Sequence, residues 1–324
     1  MASTSTETIQ FGVTPVQTGV DFNHIRDVAL KCEELGYDSL WLNDHFFTST
    51  YFYPLPPSSA PYYESWVTLS ALAALTKKIR LGTLCTNVSF RNPALLAKMA
   101  ACLDVISEGR LELALGAGWF EEEHAAYGIP FPPISERAEK LKETIQILRL
   151  LWSEEKASFH GKHYTIQDAY SSPKPVQKPR PLIGIGARGS RVMLPIVAEW
   201  ADHWNVQTPM TPRQYERKIQ TLERYCKKIG RDPKTIRRSL WAGTIIGENE
   251  KDFDCAVEEL KPRHPSYLQS RIAGTPGKCI ETIKNYVEMG VTTFIFYFTI
   301  NELKSLTVFA RDVMPAFKKM LYVR

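Results

Sequence analysis

The amino-acid sequence predicts an α/β fold made of one domain, a (β/α)8 TIM barrel with insertion loops, and three observations carry that prediction. Apolar runs of strand length alternate with amphipathic helical stretches eight times between residue 9 and the C-terminus. Neighbouring units share no sequence repeat, which excludes a solenoid. The glycine-rich turn Gly184-Ile185-Gly186-Ala187-Arg188-Gly189 follows the fifth strand, not the first. A Rossmann dinucleotide fingerprint belongs to the first turn of its domain, so this turn does not mark one, although Asp202 stands at a suitable distance downstream. The 324 residues fit a single barrel domain over 9–324, with a flexible N-terminus over 1–8 and excursions near 46–63, 153–181 and 263–274.

Each element has its own local signal. Ile9 to Val16 reads as a buried strand, and Asp21 caps a helix with Phe22, Ile25, Ala29, Cys32 and Leu35 on one face, closed by Gly36. Ser39 to Leu42 is a second strand, Trp66 to Leu75 a helix, and Ile79 to Leu84 the third strand. Asn92-Pro93 is a cap followed by a first-turn proline, opening a helix to Ile106, and Leu111 to Leu115 is the fourth strand. Ile134, Ala138, Leu141, Ile145, Leu148 and Trp152 form one apolar stripe, leaving Glu136, Glu139, Lys142 and Glu143 in water. The text then turns aromatic and Pro-rich, with a hairpin around Gly161-Lys162. Leu182 to Ile185, His203 to Val206, Arg237 to Ile246 and Thr292 to Phe298 are strands five to eight. Helices run from Val192 to Trp200, from Thr211-Pro212 to Gly230, from Thr275-Pro276 through Cys279, Ile283 and Val287, and from Leu303 to Met320.

Composition narrows the function. The 40 basic and 35 acidic side chains are scattered, so the formal charge of +5 builds neither a nucleic-acid stripe nor a polybasic membrane segment and suits an anionic small ligand. The six cysteines form no Cys-x-x-Cys pair and read as free thiols of a reducing cytoplasm. No apolar run approaches the ~20 residues of a membrane span. His160 and His163 lack a nearby carboxylate and do not match a metal site, and no G-x-S-x-G or activated Cys or Ser points to a covalent nucleophile.

Residues just after each strand line the active face of such a barrel. Strand two ends in Asn43-Asp44-His45, where an Asp can hold an imidazole in one tautomer or bind a ligand hydroxyl and a His can exchange protons; the alternative is an ordinary rim histidine. The small residues of Gly82-Thr83-Leu84-Cys85-Thr86-Asn87 and of Gly116-Ala117-Gly118-Trp119 let a planar ligand approach the backbone, or are plain turns. Glu121, Glu122 and Glu123 read as dipole partners opening a helix. Gly186, Ala187, Arg188, Gly189 and Ser190 offer amides, a helix N-terminus and a guanidinium, and are expected to meet a phosphate.

Several stretches taken in order resemble the luciferase-like monooxygenase superfamily, whose members use flavin or deazaflavin. They are Ser39-Leu40-Trp41-Leu42-Asn43-Asp44-His45, Ile79-Arg80-Leu81-Gly82-Thr83, Arg91-Asn92-Pro93-Ala94-Leu95-Leu96-Ala97-Lys98, Leu103-Asp104-Val105-Ile106-Ser107-Glu108-Gly109-Arg110-Leu111, Gly116-Ala117-Gly118-Trp119, Gly274-Thr275-Pro276 and Asp312-Val313-Met314-Pro315. The resemblance implies an isoalloxazine-type ring across the barrel mouth, backed by a strand-three bulge with a cis non-proline peptide, here Leu84-Cys85. It implies His45 as the catalytic histidine, Asp44, Thr83, Leu84, Cys85 and Trp119 as cofactor contacts, and Gly186 to Ser190 as the phosphate loop. Sugar-phosphate dehydrogenases of the deazaflavin branch carry a glutamate where this chain has Trp119, which argues against a sugar phosphate. The resemblance favours a coenzyme F420-dependent oxidoreductase acting on a small organic substrate and forming a homodimer. The alternatives are an FMN-dependent monooxygenase fed by a separate reductase and a non-catalytic cofactor carrier.

Overall fold

A computed structural model describes residues 6–48, 59–207, 210–260, 272–298, 300–318 and 320–323. In chain order the elements are β1 (Thr6–Thr8), β2 (Gln10–Val13), α1 (Phe22–Leu35), β3 (Ser39–Leu42), α2 (Ser65–Leu75), β4 (Arg80–Asn87), α3 (Pro93–Ile106) and β5 (Leu111–Gly116). There follow α4 (Glu121–Ala126), α5 (Ile134–Ser153), β6 (Lys156–His160), β7 (Thr165–Tyr170), β8 (Ile183–Gly186), α6 (Met193–Trp200), β9 (His203–Gln207) and α7 (Pro212–Lys228). The last are β10 (Arg237–Ile246), α8 (Glu250–Leu260), β11 (Ile272–Gly274), α9 (Pro276–Glu288), β12 (Thr293–Phe298), α10 (Glu302–Asp312) and β13 (Leu321–Val323). The eight strands β2, β3, β4, β5, β8, β9, β10 and β12 pair in parallel in that order, and β12 returns to β2, so the sheet closes into the expected (β/α)8 barrel.

The local signals act as chemistry requires. The Asp21 carboxylate accepts the His24 amide, Gly36 takes the left-handed conformation at the end of α1, and Asn92 and Thr211 cap α3 and α7, the latter through a reciprocal box with Gln214. The hairpin β6–β7 is present, and the Glu143 carboxylate of α5 accepts the amides of Lys162, His163 and Tyr164 at its turn.

Four features differ from expectation. Thr6–Thr8 is not a free end but pairs antiparallel with Leu321–Val323, a clasp that neither three-residue stretch is long enough to announce. The last helix stops at Asp312 and continues as a 3-10 turn over Met314–Ala316, because Pro315 lacks the amide that α-helix needs. Helix α8 and the short strand β11 were not expected, the former because its stripe is mostly exposed. Excursions 46–63 and 263–274 lie partly outside the described residues, at 49–58 and 261–271.

Strand periodicity gives the barrel two separate cores. Outward residues such as Phe11, Leu40, Leu81, Leu113, Ile185, Val206 and Phe294 pack against the helices in one continuous cluster, while Trp41, Leu84, Ala114 and Ile295 form a second cluster inside the barrel. Trp41 is the largest piece of that interior, 1% exposed, with its indole N–H donating to Ser39 Oγ at 2.8 Å. It fits only because its neighbours lack side chains. A Cβ at Gly12 would lie 2.9 Å from the indole nitrogen, and one at Gly82 would lie 2.9 Å from the indole ring and 2.5 Å from the Glu112 carbonyl oxygen.

Gly82→Ala is therefore expected to lower stability by about 1–3 kcal/mol through overpacking. The same exchange at Gly277, where nothing lies within 4 Å of the added carbon, should not. Thermal unfolding of both variants checks this, and equal melting temperatures would show that the indole is not confined as described.

Candidate active site

Three strand ends meet at the C-terminal mouth, and a buried carboxylate aligns two of them. Asp44, just past β3, is 3% exposed. Its Oδ1 accepts from Arg91 Nη2 at 2.8 Å and Ser65 Oγ at 2.6 Å, and its Oδ2 accepts from Arg91 Nη1 at 2.7 Å and the Asn87 amide at 2.9 Å. Burial works against the Arg91 charge, but Asp44 and Glu64 outweigh it and raise the guanidinium above its ordinary value. One side chain thus ties the end of β3 to the end of β4, to α2 and to the loop before α3. The sequence offered Asp44 as a group that could hold the imidazole in one tautomer, but both its oxygens are taken by Arg91, Ser65 and the Asn87 amide.

The imidazole has a different partner. His45 Nδ1 lies 2.8 Å from Oε2 of Glu123, a carboxylate of α4 with 0% side-chain exposure, while His45 itself is 25% exposed. The other Glu123 oxygen accepts the Phe46 amide. Because Glu123 acts as an acceptor here, Nδ1 carries the proton and Nε2 is left as the nitrogen able to exchange one. Glu123 was read in the sequence as a dipole partner; its signal is the position four residues after Trp119, which turns it inward while Glu121 and Glu122 stay in water.

A second line of bonds closes the circuit. The Asn87 side-chain amide lies 3.2 Å from His124 Nε2, and His124 Nδ1 lies 2.8 Å from the Phe120 carbonyl. Since a carbonyl only accepts, Nδ1 is the donor and Nε2 accepts from Asn87. Gly118 turns at φ +78°, and a Cβ there would meet the Asn87 amide at 2.8 Å. Asp44, Asn87, His124, α4, Glu123 and His45 therefore form one connected ring of contacts around the mouth.

The bulge in β4 is present. Register shifts between Thr83 and Thr86, and the Leu84-Cys85 peptide is cis. Leu84 points into the barrel, and the Cys85 thiol reaches across to β8, where a Cβ on Gly186 would sit 2.3 Å from its sulfur. Burial pushes that thiol up to about 12, so it is no nucleophile at neutral pH. Thr83 alternates to the helix side, 1% exposed, and bonds Thr86.

After β8 the Ala187 amide donates to the Asn205 carbonyl at 3.1 Å and the Ala187 carbonyl accepts from Trp204 Nε1 at 2.9 Å, which fixes the start of the loop. Helix α6 then begins without a side-chain cap. Ser190 Oγ accepts from Lys218 Nζ at 2.9 Å, and Lys218 is held below its ordinary value by burial and then by the nearby Arg188 charge. Two cations beside a hydroxyl and a helix N-terminus form a setting for an anion. Lys218 was not singled out in the sequence because it borders the apolar stripe of α7 and reads as a solvated lysine. Asp202 instead pairs with Arg180 and accepts the Ile183 amide, away from this loop.

An aromatic wall flanks His45. Trp119 is 49% exposed and stacks on Phe120 with centroids 5.2 Å apart, and the imidazole meets Trp119 edge-on at 5.6 Å. Phe46 stacks on Tyr127 at 4.2 Å, and Phe47 meets Phe120 at 5.4 Å. The Tyr62 phenol is pushed well above its ordinary value by burial and then by the nearby Glu123. His163 pairs with Glu139 at 2.8 Å and supports the hairpin.

A family model described as luciferase-like monooxygenase matches residues 6–271. The chain belongs to the luciferase-like monooxygenase family. It is 25% identical over 325 residues to an F420-dependent glucose-6-phosphate dehydrogenase of Amycolatopsis mediterranei, covering 91% of this chain and 94% of that one. Its fold matches an F420-dependent secondary alcohol dehydrogenase solved with an F420-acetone adduct, with a TM-score of 0.81, 21% identity and coverage of 97% of this chain and 100% of that one. It also matches the oxygenating constituent of 3,6-diketocamphane monooxygenase from the CAM plasmid of Pseudomonas putida in complex with FMN, with a TM-score of 0.76, 16% identity and coverage of 95% and 99%. This family member is an enzyme, and among its described residues no helix is long and apolar enough to cross a membrane.

Removing one partner of a buried ion pair leaves the other charge unpaired, typically at a cost of about 3–5 kcal/mol. Asp44→Ala should therefore unfold at much lower denaturant concentration than the parent, read by urea titration. A variant as stable as the parent would show that the Arg91 contact does not organise the mouth.

Proposed function

We propose that this chain transfers a hydride between coenzyme F420, a deazaflavin, and a small organic substrate, with His45 moving the accompanying proton. The observation that carries the reading is the buried Glu123 carboxylate on His45 Nδ1, which leaves Nε2 free to take or return a proton beside the Leu84-Cys85 bulge. A carrier protein needs no such oriented base. The mouth fits a planar cofactor with an acidic tail. Gly116 and Gly186 present no side chain over Cys85, and Arg188, Ser190 and Lys218 supply donors for a phosphate. When bound, the deazaflavin supplies or accepts the hydride. In alcohol oxidation His45 Nε2 accepts the hydroxyl proton, and the resulting imidazolium is stabilised by Glu123; in the reverse direction it returns that proton to the carbonyl oxygen. The aromatic wall keeps water from this exchange.

The FMN-bound monooxygenase neighbour supports a second reading, in which a separate reductase delivers reduced FMN and the chain inserts oxygen. Oxygen uptake by the reconstituted protein distinguishes the two, since reduced deazaflavin reacts poorly with oxygen. The six free thiols fit a reducing cytoplasm. A homodimer would cover the apolar outer side of α2 and α3, where Val67 is 71% and Leu95 53% exposed, and sedimentation of a monomer at micromolar concentration would remove it.

Fluorescence titration should show F420 bound more tightly than FMN. Lys218→Ala and Arg188→Ala should each weaken F420 by roughly tenfold to a hundredfold, as expected for one charge-assisted contact. His45→Ala should keep the F420 affinity and lose about 10²–10⁴-fold in kcat. Unchanged affinity in both cation variants, or full turnover without His45, would reject these assignments.

A further inference from the structure

Resting on the proton-transfer role of His45 proposed above, we infer that Gln17 is a positioning residue of that site: its side-chain amide stands in for a missing rung of the barrel and sets where the imidazole sits. Strand β3 pairs with β4 over all four of its residues, but with β2 over Ser39 and Leu40 alone. Past Val13 the chain leaves β3. The Thr14 amide turns to the Phe296 carbonyl at 2.8 Å, and Pro15 has no amide to give. Gln17 then reaches back. It is 4% exposed, its Nε2 donates to the Asn43 carbonyl at 3.2 Å, and its Oε1 accepts the Asn43 amide at 2.7 Å. One side-chain amide thus satisfies both backbone groups of a single residue, as a neighbouring strand would.

The segment that carries Gln17 is itself fixed on both sides. Before it, Thr14 Oγ1 accepts from Trp241 Nε1 at 3.0 Å, and the buried Glu302 carboxylate accepts the Val16 amide at 3.0 Å while its other oxygen meets His24 Nε2 at 2.8 Å. After it, the Gly19 amide donates to the Pro61 carbonyl at 3.0 Å and Thr18 bridges to Tyr62. Residues 14–19 are therefore a strap across the mouth, and Gln17 is where the strap grips the exit of β3. The grip acts on His45 because that exit is short, with Asn43 two residues before the imidazole. Asp44 secures its β4 flank through Arg91 and the Asn87 amide, and Gln17 secures its β2 flank. Glu123 is fully buried on α4 and does not follow a displaced ring. A rotated Asn43 peptide moves Nδ1 away from the Glu123 oxygen, and the imidazole loses its division into a donor at Nδ1 and a proton-exchanging Nε2.

The test reads the imidazole directly. Nitrogen-15 is placed in the seven histidines, proton–nitrogen spectra are recorded above the pH at which His45 titrates, and His45→Gln identifies its signal by removing it. The parent should show a protonated Nδ1 and a bare Nε2. Gln17→Met, close in volume but unable to bond Asn43, should shift His45 toward the Nε2-protonated form that an imidazole free in water prefers. Gln17→Asn is one methylene too short to reach both groups of Asn43 and should shift it the same way by less, so the question is answered even if the methionine variant does not fold. Thr76→Val is the control for lost stability. It strips a buried hydroxyl that bonds Arg110 and the Leu72 carbonyl at the opposite end of α2, and should melt lower without moving the His45 signal. In Gln17→Met the F420 dissociation constant should stay within about threefold of the parent, and any turnover the parent shows should lose roughly tenfold in kcat at a KM within about threefold. An unchanged His45 tautomer in the Gln17 variants, or an equal change in Thr76→Val, would overturn the proposal and leave the hydride-transfer reading standing. Failure of the parent to bind F420 would overturn that reading instead, and the spectra would still decide whether Gln17 holds the imidazole.

Discussion

The mouth of the barrel depends on the buried ion pair between Asp44 and Arg91. Burying two charges gains little net stability over an apolar contact of the same volume, but it tolerates no other arrangement, because either charge alone would be stranded. Here the pair also accepts the Asn87 amide and the Ser65 hydroxyl, so the ends of β3 and β4 and the start of α2 share one register. His45 is the next residue in the chain, and Asn87 passes the constraint through His124 to the helix that carries Glu123. The exposed, chemically active residue is thus held from both sides by residues that themselves need no contact with a ligand.

Beneath that ring the barrel is filled on a different principle. Alternation along each strand puts aliphatic and aromatic residues outward against helices and leaves the inside to the indoles of Trp41 and Trp241, to Leu84 and Ile295, and to small and polar residues such as Ala114, His203 and Ser239, the last two bonding each other at 2.5 Å. Glycines at 12 and 82 make room for Trp41, and a glycine at 186 makes room for the Cys85 thiol. The same lack of side chains that lets the interior close also keeps the mouth open above it. Packing and site construction use one device at two levels of the barrel.

Much of the architecture was legible because it rests on local signals. Asn92-Pro93 and Thr211-Pro212 start helices where they stand, and the runs Ser39 to Leu42 and Arg237 to Ile246 are strands over the expected residues. Ile9 to Val16 narrows to Gln10–Val13 because the ends of the apolar run turn into loops. What stayed hidden depends on contacts between distant residues. Nothing near His45 in the sequence names Glu123, 78 positions away, as its partner, and the adjacent Asp44 was the misleading candidate because neighbours along a strand point to opposite sides. Lys218 was missed because one lysine of a basic helix looks like the others until the fold brings it to Ser190. The terminal clasp of β1 and β13 joins ends more than three hundred residues apart, beyond any window of periodicity.

The most direct test of the account is a crystal structure of this protein soaked with F420. The account predicts the deazaflavin ring against Leu84-Cys85, His45 still on Glu123, and a phosphate oxygen within about 3 Å of the Ser190 hydroxyl or the Lys218 ammonium. A cofactor bound elsewhere, or one whose phosphate touches neither Arg188, Ser190 nor Lys218, would contradict it.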